Sequence, residues 1–425
     1  MEIIRYPQRS DWSRITERPY ADDRAVQEIV RNILYDVREQ GDAALMDMAL
    51  RLDGIALNAL RVSAVEIQSA ESRLSEELKA AIRQAYANIQ TFHRAQLRME
   101  DVVETAPGIR CWRRNVGIER VGLYIPGGSA PLFSTVLMLG VPAQLAGCAH
   151  VVLCTPPGKE GAVHPAILYA ASLCGITNIV KAGGAGAVAA MAFGTQTVSK
   201  VDKIFGPGNQ YVTVAKQWVQ QEGVAIDMPA GPSEVCVLAD ARADAAFIAA
   251  DLLSQAEHGA DSQVLLLTDD DVLLRNVQDA LATQLTLLPR AGVAQKALEK
   301  SRMVLLHDLD EAMELANAYA AEHLILQCAD AEDRAGQVRN AGSVFIGAYS
   351  PESVGDYASG TNHTLPTNGY ARAYSGVSVD SFVKKITFQR LTREGLEGIA
   401  NTVTLMAEAE GLQAHAEAVR VRLRN

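Results

Sequence analysis

Two polar residues near the middle of the chain, Gln255 and His258, have the types and spacing of metal ligands. Residues 245–258 have the pattern of a helix, and side chains three positions apart project from the same side of a helix. A carboxylate and a second imidazole would complete a zinc-type site of nitrogen and oxygen ligands. Asp356 and His415 are the available candidates. Taken alone, the spacing is also typical of an ordinary polar helix end.

A second candidate for chemistry is the adjacent pair Glu322-His323. The pair follows ANAYAA and precedes the apolar LILQ, so we expect it at the entrance to a buried strand. A carboxylate beside an imidazole offers two general bases with different pKa values. Without further information, a polar pair at the end of a helix is the simpler interpretation.

The segments around these residues predict an α/β protein. From residue 121 onward, short β-branched runs alternate with alanine-rich helical segments, as in a parallel sheet with helical crossovers. Glycine and proline cluster where strands end, at IPGGSAP, TPPG, KAGGAG, FGPGN and MPAGP, and open α/β sheets bind ligands at such carboxyl ends. Residues 1–20 look polar and irregular, residues 21–98 have helical spacing, and residues after 375 predict a strand followed by a long helix or helix pair.

Length and composition limit the classes of function. The chain has 425 residues, too many for one simple core, and we expect two or more domains. The formal net charge of −11 predicts no nucleic-acid partner, because phosphate binding needs clustered lysine and arginine. We expect no membrane span and no secretory signal, because the apolar runs are short and the N-terminus has no basic region followed by an apolar one.

The six cysteines are scattered and form no Cys-x-x-Cys pair. Buried, reduced thiols are favoured over disulfides, and they predict a cytoplasmic protein. Cys236 could suggest a nucleophile, but its apolar neighbours predict a residue in the core of a strand.

Four segments carry a resemblance to a known family: DMPAGPSEV at 227–235, DLLSQAEHGADSQV at 251–264, AEHLI at 321–325 and AGSVFIGAYSPESVGDYASGTNHTLPT at 341–367. They follow one another in the order of the histidinol dehydrogenase family, which the chain resembles from about Tyr20 to its C-terminus. The resemblance is specific, because without a common family four separate segments would have to agree by chance.

The resemblance implies an α/β fold with two incomplete Rossmann-like domains, one inserted in the other. Residues 21–123 and 235–377 are expected to form the first domain, with the metal and catalytic residues, and residues 124–234 the second, on the NAD side. Residues 1–20 would form an N-terminal arm and residues 378–425 a C-terminal helical tail, both packed on a partner subunit.

The resemblance also implies an activity, the four-electron oxidation of L-histidinol through L-histidinal to L-histidine with two NAD, in histidine biosynthesis. His323 matches the base that takes the proton from the alcohol. Glu322 matches the residue that activates water for attack on the aldehyde. Hydration of the aldehyde removes the need for a covalent cysteine intermediate.

One zinc ion per subunit is implied, and it would orient the substrate rather than generate hydroxide. Its ligands by resemblance are Gln255, His258, Asp356 and His415. The same four residues and His323 are expected to bind the substrate, together with Ser233, His363 and Glu410. In the family the residue at His415 comes from the neighbouring subunit, which predicts a homodimer with shared active sites. Composition alone would make Glu410 and His415 a solvated helix face.

On the cofactor side, Tyr124 and Asn209 match NAD-contact positions, whereas Gly186 stands where the family usually has glutamine. The missing side chain removes one hydrogen bond to NAD, worth about 0.5–1.5 kcal/mol. The change also gives Gly184, Gly186 and Ala189 the spacing of a dinucleotide-binding turn, which plain helix-start turns share.

Three other functions remain open from the residues. A paralogue on the same fold could oxidise another small polyol or amino alcohol. A zinc hydrolase would use Glu322 and a metal-bound water without NAD. A catalytically inactive scaffold would have lost a ligand or a base, and none is lost in this sequence.

Overall fold

A computed structural model of the chain describes residues 1–18, 24–97, 100–127, 131–229 and 231–424. The expected junction between the N-terminal arm and the first domain, at residues 20 and 21, lies outside the described residues.

The described residues include seventeen α-helices and four short 3-10 helices. The α-helices are α1 Trp12–Ile15, α2 Arg24–Gln40, α3 Asp42–Asp53, α4 Ala64–Ala70, α5 Glu76–Arg94, α6 Phe133–Ala146, α7 Pro165–Leu173, α8 Gly184–Phe193, α9 Gln210–Gln221, α10 Ala245–Ala256, α11 Asp271–Leu285, α12 Ala291–Glu299, α13 Leu309–Tyr319, α14 Ala331–Ala335, α15 Glu352–Tyr357, α16 Arg393–Ala409 and α17 Gln413–Leu423. The 3-10 helices are Arg9–Asp11, Glu71–Arg73, Tyr370–Arg372 and Val379–Phe382. Among the helices of this part of the chain, none is long and apolar enough to cross a membrane.

Fourteen strands are described. They are β1 Glu2–Arg5, β2 Val103–Ala106, β3 Ile109–Gly117, β4 Arg120–Tyr124, β5 His150–Thr155, β6 Asn178–Lys181, β7 Lys203–Phe205, β8 Ala225–Ile226, β9 Glu234–Ala239, β10 Gln263–Thr268, β11 Arg302–Leu305, β12 His323–Gln327, β13 Ser343–Ile346 and β14 Val383–Leu391.

The strands form two parallel sheets and one antiparallel sheet. The five-stranded parallel sheet has the order β6-β5-β4-β7-β8, and the six-stranded parallel sheet has the order β1-β11-β10-β9-β12-β13. In both parallel sheets, the direction in which successive strands are added reverses near the centre, as in doubly wound sheets. The reversal lies between β4 and β7 in the five-stranded sheet and between β9 and β12 in the six-stranded sheet. The third sheet has the order β14-β3-β2. The predicted α/β class is confirmed.

The N-terminal residues differ from the expected irregular arm. Residues 2–5 form β1, which pairs in parallel with β11 and extends the six-stranded sheet. Ile3 and Ile4 pack against the two cores that flank this sheet, so the strand forms although the segment as a whole looks polar. The N-terminus is therefore part of the chain's own fold.

Buried side chains also group differently from the expected domain division. Helices α2 to α5 share their cores with the five-stranded sheet: Val30 and Leu34 pack with Val180, and Ile82 and Ile89 belong to the core on the sheet's other side. The packing assigns these helices to the five-stranded sheet, in place of the expected grouping with residues 235–377. β2 and β3, from the same expected segment, pair instead with β14 of the C-terminal tail.

A buried ion pair links the loops at the carboxyl ends of β7 and β8. Lys216 of α9 pairs with Asp227, and both side chains are almost fully buried. Lys216 Nζ also donates to the Gly206 carbonyl at 2.9 Å, while Gly206 and Met228 donate main-chain N–H groups to the Asp227 carboxylate at 2.8 and 2.7 Å. Gly206 has φ 133°, and a Cβ atom there would lie 2.1 Å from the Tyr124 carbonyl oxygen, so only glycine fits.

We expect Lys216→Met to destabilise the fold strongly, because it leaves the Asp227 carboxylate buried without a counter-ion. The expected loss is roughly 3–5 kcal/mol in the free energy of unfolding, measured by urea denaturation. The matched control is Lys79→Met, whose partner Glu76 is exposed, and its cost should stay below about 1 kcal/mol. Equal losses in the two variants would contradict this account of the ion pair.

Candidate active site

A cavity of about 360 Å³ lies where the carboxyl end of the five-stranded sheet faces the amino end of the six-stranded sheet. Loops after β7 and β8 supply one wall, and residues at the starts of β9 and β12 supply the other. The structure brings together there eight of the residues selected from sequence: Ser233, Asn209, Gln255, His258, Glu322, His323, Asp356 and His363.

Glu322 and His323 lie at the entrance to β12, as predicted. Helix α13 ends at Tyr319, and Ala320 adopts a left-handed conformation (φ 56°) that turns the chain into the strand. The Glu322 carboxylate accepts a hydrogen bond from the Glu234 main-chain N–H at 2.9 Å. Burial raises the pKa of Glu322 to about 7, although the neighbouring His323 opposes the rise. A carboxylate with a pKa near neutrality is suited to general-base catalysis.

The imidazole of His323 is oriented by a main-chain carbonyl of the adjacent strand. Its Nδ1 lies 3.3 Å from the Glu234 carbonyl oxygen, which can only accept, so Nδ1 carries the proton of the neutral ring. Nε2 has no hydrogen-bond partner within the described chain and lies 3.6 Å from Asp356 Oδ1. Burial would lower the pKa of His323, but the carboxylates of Glu322, Asp356 and Glu352 outweigh it and raise the pKa to about 10.

Three of the four predicted metal ligands face this cavity. Helix α10 begins after Asp244, whose carboxylate caps it, and ends at Ala256. It stops two residues before the predicted end, so Gln255 lies on the last turn and His258 just beyond it. Asp356 lies on α15. Burial would raise its pKa, but His323 and two further imidazoles lower it, so Asp356 is a carboxylate at neutral pH.

The Gln255 amide is held by a buried carboxylate. With its nitrogen towards Glu352, Gln255 donates to both carboxylate oxygens at 2.8 and 2.9 Å, and its own oxygen lies 3.2 Å from the Glu234 N–H. Ser254 donates to the same carboxylate at 2.8 Å. Burial raises the pKa of Glu352 to about 8. The amide nitrogen is thus committed to protein, which leaves the oxygen as the donor atom for a ligand.

Two predicted substrate contacts also line the cavity. Ser233 lies directly before β9. Both ring nitrogens of His363 already have protein partners, the Asp356 carbonyl oxygen at 2.9 Å and the Thr135 hydroxyl at 3.1 Å. His363 therefore supports the segment that carries Asp356.

The remaining two predicted metal and substrate residues, Glu410 and His415, are not brought to the cavity within one chain. Glu410 follows the last residue of α16 and His415 lies on α17, and both side chains are exposed. Neither lines the cavity. In the part of the chain that the structure describes, no group of three or more His, Cys, Asp or Glu residues is placed to hold a metal ion.

A second cavity, of about 540 Å³, lies beside the first at the carboxyl ends of β4, β5 and β6. Tyr124, Gly186 and Asn209 line it, and Asn209 also borders the first cavity. The Tyr124 hydroxyl accepts from the Gly184 N–H at 3.1 Å, and Asn209 Oδ1 caps α9 at 3.1 and 3.2 Å. The tyrosine hydroxyl proton and the asparagine amide nitrogen remain as groups that a ligand can use.

The packing around Gly186 leaves little room for a side chain. A Cβ atom at this position would lie 3.0 Å from Met48 Sδ and 3.3 Å from Leu45 Cδ2 of α3. A larger side chain would therefore have to displace α3 residues that line the second cavity. The Met48 thioether and the Leu45 side chain fill part of the space that a glutamine at this position would need.

Glu234, Glu352 and Arg18 surround Glu322 and His323 and were not predicted from the sequence. Glu352 lies four residues before Asp356, one helical turn, which is a signal that could have found it. Glu234 belongs to the segment PSEV, which carries the family resemblance, so the sequence could have indicated it. Arg18 lies in a polar N-terminal segment with no such signal.

All six cysteines are free, and none lines the first cavity. Cys236 is fully buried in β9, as predicted, and burial raises the pKa of its thiol. The polar side chains that line the cavity are carboxylates, imidazoles, amides, hydroxyls and one lysine ammonium.

Comparisons with known proteins identify the family of the chain. The family profile described as histidinol dehydrogenase matches residues 16–423. A histidinol dehydrogenase of Bacteroides thetaiotaomicron is 56% identical over 423 residues, covering 100% of this chain and 99% of that protein. One from Xanthomonas oryzae is 54% identical, covering 97% and 98%.

A solved structure gives the same result for the fold. The crystal structure of histidinol dehydrogenase from Elizabethkingia anophelis superposes with a TM-score of 0.97 at 54% sequence identity, covering 100% of this chain and 98% of that one. Sequence and structure agree over the full length, and the chain belongs to the histidinol dehydrogenase family.

Proposed function

We propose that this protein oxidises L-histidinol through L-histidinal to L-histidine, transferring two hydrides to two NAD molecules, as a cytoplasmic enzyme of histidine biosynthesis. The observation that carries the proposal is the unpaired Nε2 of His323, a residue that lines one cavity together with Glu322, Gln255, His258 and Asp356. An oxidation of another amino alcohol is not favoured, because relatives 52–56% identical are named histidinol dehydrogenase.

His323 is the proposed base for the alcohol. In the neutral ring Nδ1 donates to a carbonyl, so the lone pair of Nε2 is available for the substrate hydroxyl proton. The imidazolium that forms lies 3.6 Å from Asp356 and 3.7 Å from Glu322, and both carboxylates stabilise its charge.

Glu322 is the proposed base for the second half-reaction. Its carboxylate is held by one main-chain N–H at 2.9 Å, which leaves the other oxygen able to accept a proton from water. Water activated there would add to the aldehyde and give the hydrate, from which the second hydride leaves. This route needs no thiol, which agrees with the absence of cysteine from the cavity wall.

Gln255, His258 and Asp356 are proposed to hold a zinc ion. The ionised Asp356, the amide oxygen of Gln255 and the imidazole of His258 are a mixture of donors that suits this borderline metal. Zinc would supply a positive charge that orients the substrate and offsets the surrounding carboxylates, so that the pKa of His323 falls towards its working range.

Tyr124, Gly186 and Asn209 are proposed to hold NAD, which would accept the hydrides. The second cavity lies at the carboxyl ends of parallel strands, the usual site for dinucleotides in open α/β sheets. Asn209 borders both cavities and would lie near the reacting end of the cofactor.

His415 and Glu410 are proposed to enter the active site of the partner subunit of a homodimer. Apolar side chains on the same helices support a partner, because Leu405 and Met406 of α16 are 58% and 60% exposed. Such exposure of large apolar groups is typical of surfaces that another chain covers.

His323→Ala should lower turnover of L-histidinol by about 100- to 10,000-fold, because the general base is removed. Zinc content, measured by atomic absorption, should stay unchanged. The control is His93→Ala, another buried histidine, bound to Gln96 outside the site, which should keep normal turnover. Normal turnover in His323→Ala would refute the role of this residue as base.

Glu322→Gln should separate the two half-reactions. We expect oxidation of L-histidinal to fall by at least about 100-fold, since a general base is lost, while oxidation of the alcohol falls less. Single-turnover experiments that start from the alcohol and from the aldehyde measure the two rates. Equal losses in the two reactions would contradict the assigned roles.

Mixed dimers test the shared site. Two chains, His323→Ala and His415→Ala, are co-expressed with different tags, and the mixed dimer is purified. Each pure variant should be inactive, whereas the mixed dimer keeps one intact site of two and about half of normal turnover. The control pair His323→Ala with Glu322→Gln places both changes on the same side of the site and should recover nothing. An inactive first mixture would contradict the proposal.

A further inference from the structure

Residue Glu234, the first of β9, contacts both catalytic residues through its main chain. Its N–H donates to the Glu322 carboxylate at 2.9 Å, and its carbonyl oxygen accepts from His323 Nδ1 at 3.3 Å. The register of the parallel strands, with His323 opposite Val235, creates this proximity. The position of one peptide segment thus sets both the direction of the carboxylate and the tautomer of the imidazole.

The side chain of Glu234 is held from the N-terminal segment. Arg18 Nε and one terminal nitrogen donate to its two carboxylate oxygens, each at 2.9 Å, and the main-chain N–H of Asn368 donates to one of them at 2.8 Å. The Glu234 side chain is 2% exposed and that of Arg18 12%. A paired, parallel contact of this kind fixes orientation as well as charge.

Arg18 is itself fixed on three sides. Its guanidinium lies over the Tyr319 ring at 3.8 Å and donates to the Tyr319 carbonyl at 2.7 Å and to the Thr16 carbonyl at 2.9 Å. Tyr319 is the last residue of α13, three positions before Glu322. Arg18 therefore bridges the start of β9 and the turn that leads into the catalytic pair.

We propose that Arg18 is a positioning residue for catalysis, which acts through Glu234 on Glu322 and His323. This inference rests on the proposed roles of those two residues. An N-terminal residue outside both cavities thus controls the placement of the catalytic groups, because strand β9 can hold them only while its first side chain is anchored. Removal of Arg18 leaves the Glu234 carboxylate buried without its counter-ion, and the segment must shift to reach water or another partner.

The experiment compares Arg18→Met and Arg18→Lys in the zinc-loaded protein. We expect Arg18→Met to lower kcat by about 10- to 100-fold with little change in KM for NAD, since a small displacement of reacting groups has effects of this size. Arg18→Lys keeps the charge without the paired contact, so it should recover part of kcat and remain folded if the methionine variant does not.

Arg334→Met is the matched control. Arg334 has the same 12% exposure and pairs with Asp310 and Asp330 at 2.8 and 2.9 Å, away from both cavities. It should lower the melting temperature and leave kcat unchanged. If the Arg18 variants lower the melting temperature only, with normal kcat, the proposal is wrong.

A double-mutant cycle connects Arg18 to the catalytic pair. If Arg18 acts through Glu322, Arg18→Lys should cause a much smaller further loss of aldehyde oxidation in the Glu322→Gln background than in the wild type. An equal further loss in both backgrounds would overturn the proposed route. Normal aldehyde oxidation in Glu322→Gln alone would instead refute the proposed role of Glu322, so the two failures are distinguishable.

Discussion

The burial of three carboxyl groups around one imidazole, with a fourth in the adjoining strand, is the constraint on which this structure depends. Glu322, Glu352 and Asp356 act on His323, and the Glu234 carboxylate is buried at the start of the adjoining strand β9. Each buried charge needs a partner, because desolvation costs several kcal/mol per ion. The partners come from the N-terminal segment, from α10, from the main chain of β9 and from the imidazole itself. The requirement for pairing therefore ties distant elements to one site.

The two parallel sheets have the same internal strand order, but they contribute opposite ends of their strands to this site. The five-stranded sheet offers its carboxyl end, where Gly206 and its neighbours leave room for a ligand, as expected for a doubly wound sheet. The six-stranded sheet offers its amino end, where β9 and β12 begin side by side. The proposed chemistry would thus depend on the region where the sheets meet, with the cavity proposed for NAD on one side and the proposed proton-transfer groups on the other.

Sequence patterns predicted most of the strands and the position of Glu322-His323, because buried parallel strands are continuous apolar runs bounded by glycine and proline. They did not predict β1 or the packing of α2 to α5, since these depend on which sheet offers a complementary surface. Arg18 and Glu234 are 216 residues apart, and a polar residue in a polar segment looks the same whether it is solvated or buried. The proposed ligand set and the unusual glycine at position 186 came from the family resemblance, and the packing of Gly186 against Met48 could be seen only in the fold.

The most direct test of the account is the number of NADH molecules formed per L-histidinol consumed, followed at 340 nm with the zinc-loaded protein. We expect two NADH per substrate with no free aldehyde, loss of the signal with a chelator and its recovery with zinc. One NADH per substrate with accumulation of L-histidinal would contradict the coupling of two oxidations in one cavity. No NADH at saturating NAD would contradict the proposed activity itself.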